Sequence, residues 1–226
     1  MTLKIAHRGA SGNEPENTLR AFRKAIELGA DVIECDVRLS KDKKAIIIHD
    51  KKVRQTTNRK RRVVDLTLEE LKTLDVGKGE KIPTLEEALA VVDRKAKMNI
   101  ELKAEETAEP VAMIINEHVK EKGWNYEDFF LCSFNHKELK KFHFLLPQVK
   151  IGILVYRVPL SLLKLAKELH AYSINLSLKK LNTKRILQIR KENIKIFVWT
   201  VDEPQDIKKV KALGVDGIIS NFPERI

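Results

Sequence analysis

Cysteine is scarce in this chain. Only Cys35 and Cys132 occur among 226 residues, both inside strand-like runs, and no Cys-x-x-Cys or comparable ligand spacing exists. That excludes a cysteine-built metal site and reads both thiols as core residues of a protein from a reducing compartment. Long apolar runs are also missing: none approaches the ~20 residues of a membrane span. Strand-like sequence begins by Lys4, which leaves no room for a basic region plus apolar signal core. With Met1 as the true start, the expectation is a cytoplasmic protein without stable membrane insertion. There is no low-complexity tract, linker or internal repeat. The formal net charge is +11, yet the basic residues are scattered apart from the run Arg59–Arg62, and no nucleic-acid-binding motif accompanies them. Most of this charge reads as solvated surface, and no nucleic-acid partner is expected.

What is there is an alternation of short apolar runs with amphipathic, charged segments, the mark of βα units around a parallel sheet. The strand candidates are Lys4–Arg8, Val32–Leu39, Lys44–His49, Met98–Lys103, Phe129–Phe134, Lys150–Val155, Tyr172–Ser177, Lys195–Val201 and Asp216–Ser220. That is one too many for an eight-stranded barrel. The link SKDK after Leu39 resolves the excess, because it is far shorter than a parallel crossover needs. Val32–Leu39 and Lys44–His49 must form an antiparallel hairpin, and the remaining eight runs fit a (β/α)8 TIM barrel, an α/β fold, within a single domain over residues 1–226. The hairpin returns His49 beside Asp36.

The long connection from His49 to Met98 carries two helix starts, Thr67 with Glu70 and Thr84 with Glu87, each a capping box. Its basic first part, Lys51–Arg62, suits a lid or rim. Helices are expected at Thr18–Leu28, Val111–Lys122 and Pro204–Leu213, ending at Gly29, Gly123 and Gly214 as left-handed caps. Asn17 reads first as the N-cap of the Thr18 helix and second as a site contact.

The chemistry concentrates at strand ends. Glu34 and Asp36 lie in an otherwise apolar strand, and with a period of two they leave the same face, their Cα atoms roughly 6.5 Å apart. Buried acids need a partner: either a cation gripped between them or a lysine or arginine across the sheet. Glu101 and Lys103 repeat the period in IELK, and a third carboxylate gives an oxygen set suited to one divalent cation, Mg2+ or Ca2+. His7 and His49, singly, fit structural histidines. As a pair flanking a metal site they fit general acid and general base. Arg8 and Lys103 carry charge suited to a phosphate, although Lys103 can equally pair with Glu101. His118, His136, His143 and His170 fall on helical segments and receive no role.

The segments AHRGASGNEPENTLRAF, GADVIECDVRLSKD, AIIIHDKKVRQTTN, NIELK, FVWTVDEP and GVDGIISNFP resemble the glycerophosphodiester phosphodiesterase family over nearly the whole chain. The resemblance implies a metal-dependent enzyme that hydrolyses small glycerophosphodiesters to glycerol 3-phosphate and an alcohol. It assigns the metal ligands to Glu34, Asp36 and Glu101, catalysis to His7 and His49, and phosphate contact to Arg8 and Lys103. Trp199 falls on an aromatic position expected to wall the glycerol end. The family's variable insertion is short here, which argues against a large cap domain.

Three rivals use the same residues: a phosphodiesterase acting on lysophospholipids, a silent barrel that only binds phosphate or headgroups, and a Schiff-base enzyme with Lys103 as nucleophile. The silent barrel needs neither both histidines nor all three acids. Nearby acids keep Lys103 protonated, against Schiff-base chemistry. The sequence leaves the oligomeric state open.

Overall fold

The computed structural model describes residues 2–53, 61–156 and 161–226. Strands β1 (Leu3–Ala6), β2 (Val32–Leu39), β3 (Ala45–Ile47), β4 (Lys97–Leu102), β5 (Phe129–Ser133), β6 (Lys150–Val155), β7 (Ser173–Ser177), β8 (Lys195–Trp199) and β9 (Gly217–Ser220) belong to one sheet. Eight of them are parallel and close into a barrel through the β1–β2 and β1–β9 pairings, and β3 pairs antiparallel with β2. The TIM barrel and its hairpin extension are therefore as the strand arithmetic predicts.

The hairpin works because β2 outlasts its neighbour. Ile33 is the last β2 residue paired with β1, whereas Val37 pairs with Leu102 of β4 on one edge and Ile47 of β3 on the other. The edge that β1 vacates is taken by β3 instead of being left with unpaired amides.

Helices α1 (Leu19–Glu27), α2 (Leu68–Lys72), α3 (Leu85–Val92), α4 (Ala108–Glu121), α5 (His136–Leu145), α6 (Leu162–Glu168), α7 (Thr183–Arg190) and α8 (Pro204–Ala212) fill the connections. Both capping boxes are formed, by Thr67 with Glu70 and by Thr84 with Glu87, each worth about 1 kcal/mol to its helix. Gly29, Gly123 and Gly214 follow α1, α4 and α8 with φ of 72°, 71° and 70°, the left-handed stops expected. Helix α4 starts at Ala108, three residues before its expected start, because Pro110 falls in the first turn, where a missing N–H costs nothing.

Alternation along each strand sorts the side chains into two layers. Outward residues such as Ile33, Cys35, Ile100, Leu131 and Val198 join the main core against the helices. Inward residues near the strand starts, Ile5, Val32, Phe130, Phe197 and Ile219, form an apolar floor inside the barrel. Gly217 is required by that floor: a Cβ there would lie 2.6 Å from the Phe197 ring. One period further along, the inward residues turn polar, and the site begins.

A separate small core lies outside the barrel. Ile46 and Ile48 of the hairpin arm pack with Val53, Val63, Leu66, Leu71, Leu74 and Ile82, and Lys51–Val53 and Arg61–Val63 pair as an antiparallel stem. Of the basic run Arg59–Arg62, Arg61 and Arg62 are surface residues paired with Glu70 and Asp65, while Arg59 and Lys60 lie outside the described residues.

Candidate active site

The inward polar layer lines a cavity of about 220 Å³ at the C-terminal end of the barrel, bounded by His7, Arg8, Glu34, His49, Glu101, Lys103 and Trp199. Seven of the eight residues singled out in the sequence thus share one cavity, and the eighth, Asp36, lies behind it at 1 % exposure.

Register explains why the acids converge. Asp36 is paired directly with Glu101 across the parallel β2–β4 ladder, and Glu34 with Asn99. Glu34, Asp36 and Glu101 each offer an oxygen lying within 4.8 Å of the other two. Like charges side by side on one sheet face repel. Burial and then the charges of Asp36 and Glu101 raise Glu34 well above the usual carboxylate range. Burial and Asp36 push Glu101 up to about 7 despite Lys103. Asp36 behaves oppositely: burial works to raise it, but Arg8, Lys103 and His49 outweigh burial and hold it low. Lys103 lies 2.8 Å from Glu101 and 3.6 Å from Asp36, and Arg8 Nε lies 3.2 Å from Asp36. Three acids therefore face two cations. The cluster is short of positive charge, and its all-oxygen donor set fits one hard divalent ion. Asn99, which lines the same cavity, has a buried side-chain nitrogen with no hydrogen-bond partner among the described residues, a donor suited to an oxygen of a bound ligand.

Arg8 is held by an unusual backbone. The expected strand Lys4–Arg8 ends at Ala6, because Arg8 has φ 55° and Gly9 has φ 78°. Any Cβ on Gly9 would meet Ala21 at 2.8 Å, so only glycine lets the chain turn here. The turn aims the Arg8 amide at Glu34 Oε2, 2.8 Å away, and its guanidinium at Asp36 and Glu16. Burial opposes its charge, but Asp36, Glu16 and Glu34 prevail and raise its pKa. The Arg8 Nε is buried against Asp36 in an ion pair at 3.2 Å that lacks hydrogen-bond geometry.

Asn17 corrects the sequence reading. Thr18 caps α1, its Oγ1 accepting from Ala21 N at 3.1 Å. Asn17, at φ 56°, instead donates to Asp36 Oδ2 at 2.8 Å and accepts from Asp36 N at 3.3 Å. The second-ranked role is the real one.

Each histidine is fixed through Nδ1. The His7 ring lies 2.7 Å from Asn221 Oδ1, which also accepts from Ser11, while Asn221 Nδ2 donates to Asp202. Burial, reinforced by Arg8, lowers the His7 pKa. His49 Nδ1 lies 2.8 Å from Asp50 Oδ1. Lys103 retains its proton: burial disfavours the charge, but Glu101 and Asp36 more than restore it. That argues against the Schiff-base reading, which needs an unprotonated amine.

Opposite the charged side stands an aromatic wall. Phe134 and Tyr156 stack at 4.6 Å, and Trp199 meets both edge-on at 5.7 and 5.5 Å, with its indole N–H donated to Asn175 O. Sequence reasoning found Trp199 but missed Phe134, Tyr156, Asn99, Asn221, Asp50 and Arg38. The period of two at the ends of β4, β5 and β6 offered a signal for Asn99, Phe134 and Tyr156. Nothing local marked the others.

The model of the "Glycerophosphoryl diester phosphodiesterase family" matches residues 7–225. This chain belongs to that family. It is 39% identical, over all of its length and 96% of the relative's, to a glycerophosphodiester phosphodiesterase of Caldanaerobacter subterraneus. It is 27% identical, over all of its length and 85% of the relative's, to a human lysophospholipase D. Among solved structures, a phosphodiesterase of Oleispira antarctica in complex with the product sn-glycerol-3-phosphate superposes with a TM-score of 0.92 at 29% identity, covering all of this chain and 95% of that one. Among the described residues, no helix is long and apolar enough to cross a membrane.

Proposed function

We propose that this member of the family hydrolyses glycerophosphodiesters to sn-glycerol 3-phosphate and an alcohol with the help of one divalent cation, Mg2+ or Ca2+, as a single domain in the cytoplasm. The observation that carries this reading is the convergence of His7 and His49, each oriented through Nδ1, on a cavity shared with the acid cluster, Arg8 and Lys103. Two free, buried cysteines support the reducing compartment.

Glu34, Asp36 and Glu101 would hold the ion, which when bound supplies Lewis-acid polarisation of a phosphate oxygen. Arg8 and Lys103 neutralise the phosphate and the charge that grows on it during displacement. One imidazole takes the proton of the attacking hydroxyl, from water or from the glycerol itself, and the other gives a proton to the leaving alcohol; where the glycerol hydroxyl attacks, the first product is a cyclic phosphate, which water then opens to glycerol 3-phosphate. Asn221 and Asp50 hold the two rings in place for these transfers, and Trp199 walls the glycerol end.

The test is release of choline or ethanolamine from glycerophosphodiesters by metal-stripped and metal-reloaded protein. Activity should vanish on stripping, return with a divalent ion, and fall about 10²-fold or more in His7→Ala and in His49→Ala. Turnover that survives complete stripping, or survives both substitutions together, rejects the mechanism. Cleavage of lysophospholipids is a second reading, supported by the aromatic wall, where Tyr156 is 64% exposed and can meet an acyl chain.

A further inference from the structure

A second cavity, of about 730 Å³, adjoins the first, and Lys103 lines both. Its walls are the end of β2 with its turn, the stem residues Lys51, Lys52 and Arg62, and the β4–α4 loop. Six cations, Arg38, Lys43, Lys51, Lys52, Arg62 and Lys103, line it against two carboxylates, Glu105 and Glu106. Some of that charge is spent: Arg38 donates to backbone carbonyls, Lys43 pairs with Glu106, Lys103 with Glu101, and Arg62 approaches Asp65 at 3.5 Å. Lys51 and Lys52 have no carboxylate partner among the described residues. Leu39, Val63 and Val64 supply an apolar side, so the space suits the carbon skeleton of a small molecule as well as its charge.

The two cavities differ in character, and Lys103 is their junction. A phosphodiester seated at Lys103 has two arms and two directions open to it. Among the described residues, the aromatic wall of Phe134, Tyr156 and Trp199 lines the first cavity and no aromatic side chain lines the second. If the glycerol arm lies on Trp199, the alcohol arm passes Lys103 into the basic cavity.

We propose that this cavity is the subsite for the alcohol half of the substrate and that it selects alcohols bearing an anionic group, a carboxylate or a further phosphate. The inference rests on the function proposed above. Two cations without a carboxylate partner among the described residues, in a recess shared with Lys103, attract an anion and repel the quaternary or primary ammonium of a cationic headgroup. Screening by salt weakens both effects, since the Debye length is only ~10 Å at 0.1 M ionic strength.

Two matched substrate pairs test this. Glycerophosphoserine differs from glycerophosphoethanolamine by one carboxylate, and the terminal phosphate ester of glycerophosphoglycerol differs from glycerophosphoglycerol by one phosphate. At low salt, kcat/KM should favour the anionic member of at least one pair by about tenfold, and the pair that responds shows which anion is read. The preference should shrink in 0.5 M salt and collapse in the triple variant Lys51→Gln, Lys52→Gln, Arg62→Gln. On glycerophosphoethanolamine the variant should be at least as fast as the wild type, since the three exposed side chains lie outside the catalytic cavity and their loss lifts the repulsion of the substrate's ammonium. Equal kcat/KM within both pairs, or a preference that the triple variant retains, overturns the subsite while leaving phosphodiesterase activity intact. If none of the four compounds is turned over, the functional reading fails, and calorimetric binding of the same pairs still decides the subsite: equal affinities within both reject it.

Discussion

Asn17 and Asp36 are bound to each other twice, side-chain amide to carboxylate at 2.8 Å and backbone N–H to side-chain carbonyl at 3.3 Å. The pair ties the loop before α1 to the strand that carries two of the three clustered acids. Its consequence is that Asp36 Oδ2 is oriented by a neutral donor as well as by Arg8, whose Nε lies 3.2 Å from the same oxygen, so the position of the carboxylate does not rest on charge alone. In Asn17→Ala, a buried carboxylate loses that donor, and stability should fall by about 1–3 kcal/mol. Affinity for the divalent ion should drop about 10- to 100-fold, as for other groups that orient a ligand. Calorimetric titration of the stripped protein with Mg2+ or Ca2+ measures this; an unchanged affinity would show that Asn17 only closes the loop.

Arg38 joins the two sides of the site through backbone carbonyls. Its Nε donates to His49 O at 2.8 Å and its Nη1 to Lys103 O at 3.1 Å, fixing the ends of the hairpin arm and of β4 to β2. Arg38→Met should lower kcat about tenfold or more by loosening His49 and Lys103 together, since positioning errors of about 1 Å are costly in catalysis. Arg38→Lys, which keeps a donor but not the fork, should recover part of the rate. Steady-state kinetics beside a melting curve separates the roles: a loss of stability with kcat untouched would leave Arg38 a structural residue only.

The acid cluster predicts an unusual pH profile for the metal-free protein. Burial and Asp36 raise Glu101 to about 7, above its ordinary value of 4.5. Between those values the folded state holds a proton that the unfolded state has released, so stability falls as pH rises. Glu34, raised by burial and its acid neighbours, contributes in the same direction. Urea melts of the stripped protein from pH 4.5 to 7.5 should show this decline, and a saturating divalent ion should abolish it. A stripped protein whose stability rises across that range would mean the cluster is already neutralised by Arg8 and Lys103.

Much of this was legible in the sequence, for reasons that differ by element. The four-residue link SKDK forced a hairpin because no parallel crossover fits it, and β2 and β6 run between their expected residues. Period-two spacing put Glu34 with Asp36, and Glu101 with Lys103, on inward faces. Asn17 reads as the cap because asparagine is the better N-cap of the two neighbours, and its left-handed φ of 56° is what passes the role to Thr18. The partners of His7 could not be read at all: Asn221 lies 214 positions away, and only barrel closure brings the last strand beside the first. Arg38 was hidden because its partners are backbone carbonyls, which carry no residue identity.

His49 is carried by the hairpin, whose outer face, Ile46 and Ile48, packs into the small core of Val53, Val63, Leu66, Leu71, Leu74 and Ile82 and not into the barrel. The barrel core does not depend on those contacts, so the annex can open by itself at a lower free energy than the whole. Warming should then silence turnover several degrees below the global melting transition, with amides of Ile46 and Leu71 exchanging faster than those of β4 and β5. The chain would lose its chemistry before its shape, and would regain it on cooling.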